Sequence, residues 1–89
     1  SRESEVAVIN KTRKILANNI VYFRLKNGWS QEEFAYRIGS SAQSVSTMEN
    51  AKRNISSDYI DHLAKIFKIE PHELLVARPT VKNRRIDGK

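Results

Sequence analysis

Two helix-start signals, separated by a glycine stop, constrain this chain more than any other feature. They lie between Trp29 and Asn54, WSQEEFAYRIGSSAQSVSTMENAKRN. Ser30 precedes Glu33 by the spacing of a capping box, in which each side chain satisfies a backbone donor of the other residue. Trp29 and Phe34 flank that box as a hydrophobic staple. Phe34, Ala35 and Ile38 then recur at helical spacing. Gly39 ends the run, because glycine enters the left-handed C′ conformation without steric cost. Ser41 is placed to cap a second helix, from Ala42 to about Asn50. Val45 and Met48 give that helix only a narrow apolar seam. Gln43, Ser44, Ser46 and Thr47 leave the rest short, uncharged and hydrogen-bonding. Surface helices ordinarily carry Glu, Lys and Arg, and none stands between Ser40 and Met48. A helix of this kind suits a DNA major groove, where base edges are read by short polar side chains.

The neighbouring segments carry similar punctuation. Thr12 is an N-cap for a first helix from Arg13 to Lys26, in which Leu16, Ile20 and Phe23 fall at i, i+4 and i+7 with Ile15 and Tyr22 beside them. Gly28 ends it, with Lys26 favourably placed in the last turn. After the loop AKRNIS, Ser56 or Ser57 caps a fourth helix with Asp58 in its first turn, and Ile60, Leu63, Ala64 and Phe67 form its apolar stripe. Pro71 fits the first turn of a short fifth helix ending near Leu75, with Leu74 and Leu75 closing the core. The expected architecture is all-α, with five short helices over residues 12–76. Residues 1–11 form an N-terminal arm. Its Val6, Ala7, Val8 and Ile9 belong either to a frayed end or to a short strand packed on the domain or a partner. Residues 77–89 form a basic tail with no fold of its own.

Composition narrows the function. At 89 residues a single domain with a thin core is expected, to which a second copy would add stability. With no Cys there is no disulfide, thiol-redox or Cys-metal chemistry. His62 and His72 have no third ligand nearby in sequence and read as surface imidazoles. No Ser-His-Asp set, carboxylate pair or glycine-rich phosphate loop is apparent, so no enzyme, cofactor or small-molecule ligand is expected. No membrane span or signal peptide is seen either, which makes a cytoplasmic protein the default. The chain opens on Ser rather than Met, as a trimmed chain does, and any ligand or cleavage control is expected from outside it.

The net charge of +6 and pI near 9.9 point to a polyanionic partner. Residues 1–15 carry four basic and two acidic side chains, residues 16–75 carry seven of each, and residues 76–89 carry five basic and one acidic. The excess charge therefore lies wholly in the flanks. The tail reads either as a solvated charge run or as an arm lying along phosphates or in a minor groove.

From Leu16 to Leu75 the chain resembles the phage repressor and Cro-like helix-turn-helix family. The resemblance is carried by Phe23-Arg24, Gly28-Trp29-Ser30-Gln31, Phe34-Ala35, Gly39, Ser44-Val45-Ser46, Met48-Glu49-Asn50, Leu63-Ala64, Ile69 and Glu73-Leu74-Leu75. It implies a lambda-repressor-like fold and a transcription regulator that binds double-stranded DNA, as a homodimer whose two recognition helices sit about 34 Å apart on an inverted repeat. By the same resemblance Ser41, Ala42, Gln43, Ser46 and Thr47 face the groove. Gln43 is the strongest base reader, since Gln pairs in bidentate fashion with adenine. Gln31 would meet a phosphate through its side chain and the N-terminus of its helix. Asn50, Lys52, Arg53 and Asn54 would follow the phosphate backbone. Arg24 and Glu49 correspond to a structural pair.

The chain departs from the pattern at four positions. Ala51 and Lys68 stand where relatives have Gly, Ser40 where they bury an aliphatic residue, and Val21 where many carry an Arg toward phosphate. Ala51 in particular predicts a different path for the loop that follows. The same fold also serves antitoxins and adaptors, in which an exposed apolar arm such as Val6–Ile9 would hold a protein partner.

Overall fold

The computed structural model describes the backbone of residues 2–85 and the side chains of residues 11–85. Four α-helices follow in order, α1 (Arg2–Lys26), α2 (Gln31–Ile38), α3 (Ala42–Glu49) and α4 (Ser57–Phe67), and a 3-10 helix spans Pro71–Leu75. The expected fifth α-helix is thus a single 3-10 stretch. Glu70 and Glu73 satisfy its first turn reciprocally, the backbone N–H of Glu70 donating to the Glu73 carboxylate at 2.8 Å. No strand occurs among the described residues.

The first helix also differs from expectation. It does not start at Thr12 but runs through it from Arg2, so residues expected to form an arm are helical. A Thr is a cap only if the chain turns there, and no helix-breaking Gly or Pro precedes it to force a turn. The side chains of Val6 to Ile9, which the antitoxin reading invoked, lie outside the described ones.

The expected core otherwise assembles. Leu16, Ile20 and Phe23 of α1 bury against Phe34, Ala35 and Ile38 of α2, Val45 and Met48 of α3, and Leu63, Ala64 and Phe67 of α4, with Leu74 closing one end. Leu75 does not join them; it is 46% exposed. Trp29 stacks on Phe34 with ring centroids 6.1 Å apart, and both stack on Phe67, so the staple expected at the start of α2 extends to α4. Arg37 lies over the outer face of Trp29 at 4.4 Å.

Capping fixes where α2, α3 and α4 begin. The hydroxyls of Ser30, Ser41 and Ser56 accept from the backbone N–H groups of Glu33, Ser44 and Tyr59. Only half of the expected Ser30–Glu33 box forms, because the Glu33 carboxylate pairs with Arg37 at 2.9 Å instead. All four helices end in the same motif, in which two successive N–H groups reach back to helix carbonyls around one left-handed residue. That residue is Gly28 and Gly39 after α1 and α2, and Ala51 (φ 59°) and Lys68 (φ 60°) after α3 and α4. The loop after α3 therefore keeps the turn that Gly would make, contrary to the expectation of another path: Ala51 N–H donates to the Met48 carbonyl and Lys52 N–H to that of Thr47, each at 3.1 Å. Left-handed geometry costs a residue with a Cβ about 1 kcal/mol, partly offset by the greater freedom of an unfolded Gly. Ala51→Gly and Lys68→Gly should each raise stability by about 0.5–1 kcal/mol in chemical denaturation, additively. A loss of stability in either would show that the turn tolerates its side chain without strain.

Candidate nucleic-acid interface

The helix-turn-helix unit is α2, the turn at Gly39–Ser41, and α3. Helix α3 presents two opposed stripes. Val45, Met48 and Glu49 point inward and are buried. Gln43, Ser46, Thr47 and Asn50 recur at i, i+3, i+4 and i+7 on the outer side, with Gln43 and Asn50 exposed and Ser46 and Thr47 half-buried. Ser41 is exposed at the helix start and Ala42 is half-buried beside it. The residues expected to read bases thus lie along the start and outer side of one helix.

Some of their hydrogen-bonding capacity is already used. The Thr47 hydroxyl donates to the Gln43 carbonyl at 2.9 Å, which leaves its methyl and an acceptor lone pair for a ligand. The Asn50 amide donates to the Ser46 carbonyl at 2.8 Å. Gln43 remains outward, its side chain long enough to reach past both neighbours.

Glu49 ties the end of α3 to α1 and to the start of α2. Its carboxylate and the Arg24 guanidinium are each about 1% exposed, and they pair in a fork at 2.6 and 3.1 Å. Arg24 also donates to the Trp29 carbonyl at 2.8 Å. The Gln31 amide donates to the same carboxylate at 2.9 Å. Gln31, expected as a phosphate anchor, is therefore also part of the clamp that joins α1, the start of α2 and the end of α3. Its backbone N–H stands in the first turn of α2, where such groups have no partner within the helix.

The residues after α3 divide. Lys52, Arg53 and Asn54 are all exposed. The Arg53 guanidinium donates to Ser44 at 2.7 Å and lies over the Tyr59 ring at 5.2 Å, which draws it back along α3. Asn54 accepts from Arg13 of α1, bringing a cation to this edge that the sequence did not single out. Val21, expected from the resemblance to replace a frequent Arg, is fully buried and contributes nothing to this surface. His62 donates to the Ile38 carbonyl at the end of α2, and no group of side chains able to hold a metal ion occurs among the described residues. No described helix is long and apolar enough to cross a membrane.

A family model described as helix-turn-helix matches residues 20–74. The chain belongs to that family. It is a family of DNA-binding transcription regulators rather than enzymes, of the repressor and Cro type. The helix-turn-helix chain is similar to a hypothetical transcription factor of Neisseria meningitidis serogroup B (36% identical over 64 residues, 72% of this chain) and spans 60% of that factor's length. It is also similar to the control protein C.BamHI of Bacillus amyloliquefaciens, with 30% identity over 67 residues, 74% of this chain and 83% of that one. Among solved structures, the factor NHTF from Neisseria matches with a TM-score of 0.70 at 35% identity, covering 74% of this chain and 76% of that one. The restriction-modification controller protein C.AhdI from Aeromonas hydrophila matches with a TM-score of 0.67 at 31% identity, covering 73% and 94%.

Proposed function

We propose that this chain is the operator-reading part of a cytoplasmic transcription regulator, a homodimeric repressor that lays α3 in the major groove of double-stranded DNA. The observation that carries this is the uncharged outer stripe of α3, Gln43–Ser46–Thr47–Asn50, on a helix tied to α1 by a buried ion pair. Ser41, Ala42, Gln43, Ser46 and Thr47 contact bases in this reading, while Gln31, Asn50, Lys52, Arg53 and Asn54 contact phosphates. Because residues 16–75 carry equal numbers of acidic and basic side chains, affinity from this domain depends on placed contacts rather than on net charge.

Two features support the homodimer. One such domain spans only a few base pairs, so useful specificity needs two half-sites. The exposed Leu75 lines a shallow, largely apolar groove with Leu16, Ile55 and Ile60, beside the polar Thr12, Arg13 and Asn54, a surface that a second copy would cover. The repressor assignment draws on the control protein and the restriction-modification controller among the relatives.

Selection of bound duplexes from a random pool tests the reading directly. It should enrich an inverted repeat with half-site centres about one helical turn apart. Enrichment of an isolated half-site would sink the dimer, and no enrichment at all would sink operator reading in favour of a protein partner.

A further inference from the structure

The basic tail folds back onto the domain. From Val76 to Arg85 it lies across α1 and ends against the C-terminus of α3, outside the residues matched by the family model. Two buried asparagines of α1 hold it there. Asn18 behaves as a neighbouring strand would: its amide donates to the carbonyls of Arg78 and Pro79, and its oxygen accepts from the Val81 N–H at 2.7 Å. Asn19, fully buried, donates to the carbonyls of Leu74 and Val76 and accepts from the Arg78 guanidinium. Arg78 also sits 4.9 Å from the centroids of Tyr22 and Phe23. One of the four cations between residues 77 and 85 is thus consumed in anchoring the segment.

The other three go elsewhere. Nη1 of Arg84 donates to the Glu49 carbonyl at 2.8 Å and approaches the Asn50 side-chain oxygen at 3.3 Å, capping the end of α3. The Arg84 carbonyl in turn accepts from Arg24 at 2.7 Å. Arg84 therefore lands on the Arg24–Glu49 pair, whose carboxylate also holds Gln31. Gln31 and Asn50 are two of the proposed phosphate contacts, so the strap ends at the edge of the domain where a DNA backbone would pass. Lys82 and Arg85, on either side of Arg84, are exposed, and no acidic side chain lies between residues 77 and 85.

We propose that residues 77–85 form a further DNA-contacting element, in which Arg84 is a positioning residue for α3 and Lys82 and Arg85 bind the phosphate backbone beside Gln31 and Asn50. The inference rests on α3 being the reading helix and adds a phosphate site built from outside the helix-turn-helix unit. It also adds cations to a domain whose residues 16–75 carry no net charge. Seated in this way, the strap ties sequence-independent grip to the same carboxylate that ties α3 to α1.

The full chain and three variants, measured on a selected operator and on random duplex across a salt series, separate the claims. Wild-type failure to discriminate the two duplexes would strike the regulator reading itself; the phosphate-contact claim is judged on the salt slopes, which random duplex supplies by itself. Lys82→Ala/Arg85→Ala should weaken both duplexes by a similar factor and reduce the slope of log K against log salt by about 1.8 per chain. An unchanged slope overturns the phosphate contact. Because both side chains are exposed, the double variant should keep the wild-type melting temperature, which confines the effect to binding. Arg84→Ala should cost the operator at least about ten-fold more than random duplex, with Arg84→Lys recovering part of that loss. Equal losses on both duplexes, or no rescue by Lys, would overturn the positioning role.

Discussion

On a selected operator, Gln43→Ala will bind about 10- to 100-fold more weakly per half-site, while its affinity for random duplex changes by less than about two-fold. The asymmetry follows from where Gln43 stands. It is exposed on the outer stripe of α3, and its amide offers a donor and an acceptor in the spacing that adenine presents in the major groove. Removing it leaves the phosphate contacts intact, so binding that ignores sequence should survive. Electrophoretic or fluorescence titrations on both duplexes at one salt concentration give the comparison. A proportional loss on both would remove Gln43 from the reading surface and assign it to general affinity. Thr47 should show a smaller effect, because its hydroxyl proton is already committed to its own helix.

Glu49→Ala should cost about 3–5 kcal/mol of stability, which for a domain of this size lowers the melting temperature by on the order of 15 °C or more. The loss comes from what remains rather than from what is removed. Arg24 is about 1% exposed, and without Glu49 its charge would be buried with only the carbonyls of Trp29 and Arg84 as partners. Gln31 would lose its acceptor as well. Replacing both partners by apolar residues, as in Arg24→Met/Glu49→Leu, should recover most of that stability, because no uncompensated charge is left behind. The double variant should nevertheless read its operator poorly, since the fork that ties α3 to α1 would be gone. If it retained full discrimination, core packing alone would orient the reading helix.

The legible parts of this molecule were those set by local rules. The serines that cap α2, α3 and α4, the glycines that end α1 and α2 and the apolar stripe of α1 each involve residues within one or two turns of one another. The pattern of short polar residues on α3 was equally visible, because burial on one side of a helix leaves the other side to be read from periodicity. What escaped was nonlocal. Asn18 and Asn19 look like solvated positions on α1, yet they are buried because the tail brings its backbone to them. Arg84 carries no mark that separates it from Arg85, although one caps α3 and the other is exposed. Ala51 was read by its propensity alone, and the tertiary setting overrode that small penalty. Leu75 follows Leu74 in sequence, but a 3-10 turn points only one of them into the core. Thr12 had the chemistry of a cap without the turn that makes one.

The strap also divides the molecule in the order of its formation. The helices close over short loops, whereas the bonds between the strap and α1 join residues 57 to 63 positions apart. Contacts of such separation form late, because their loop-closure entropy is met only once the intervening chain is ordered. The carbonyl end of α3 is therefore the last part of the reading unit to acquire its partner, and it would be the first to lose it when the domain begins to open.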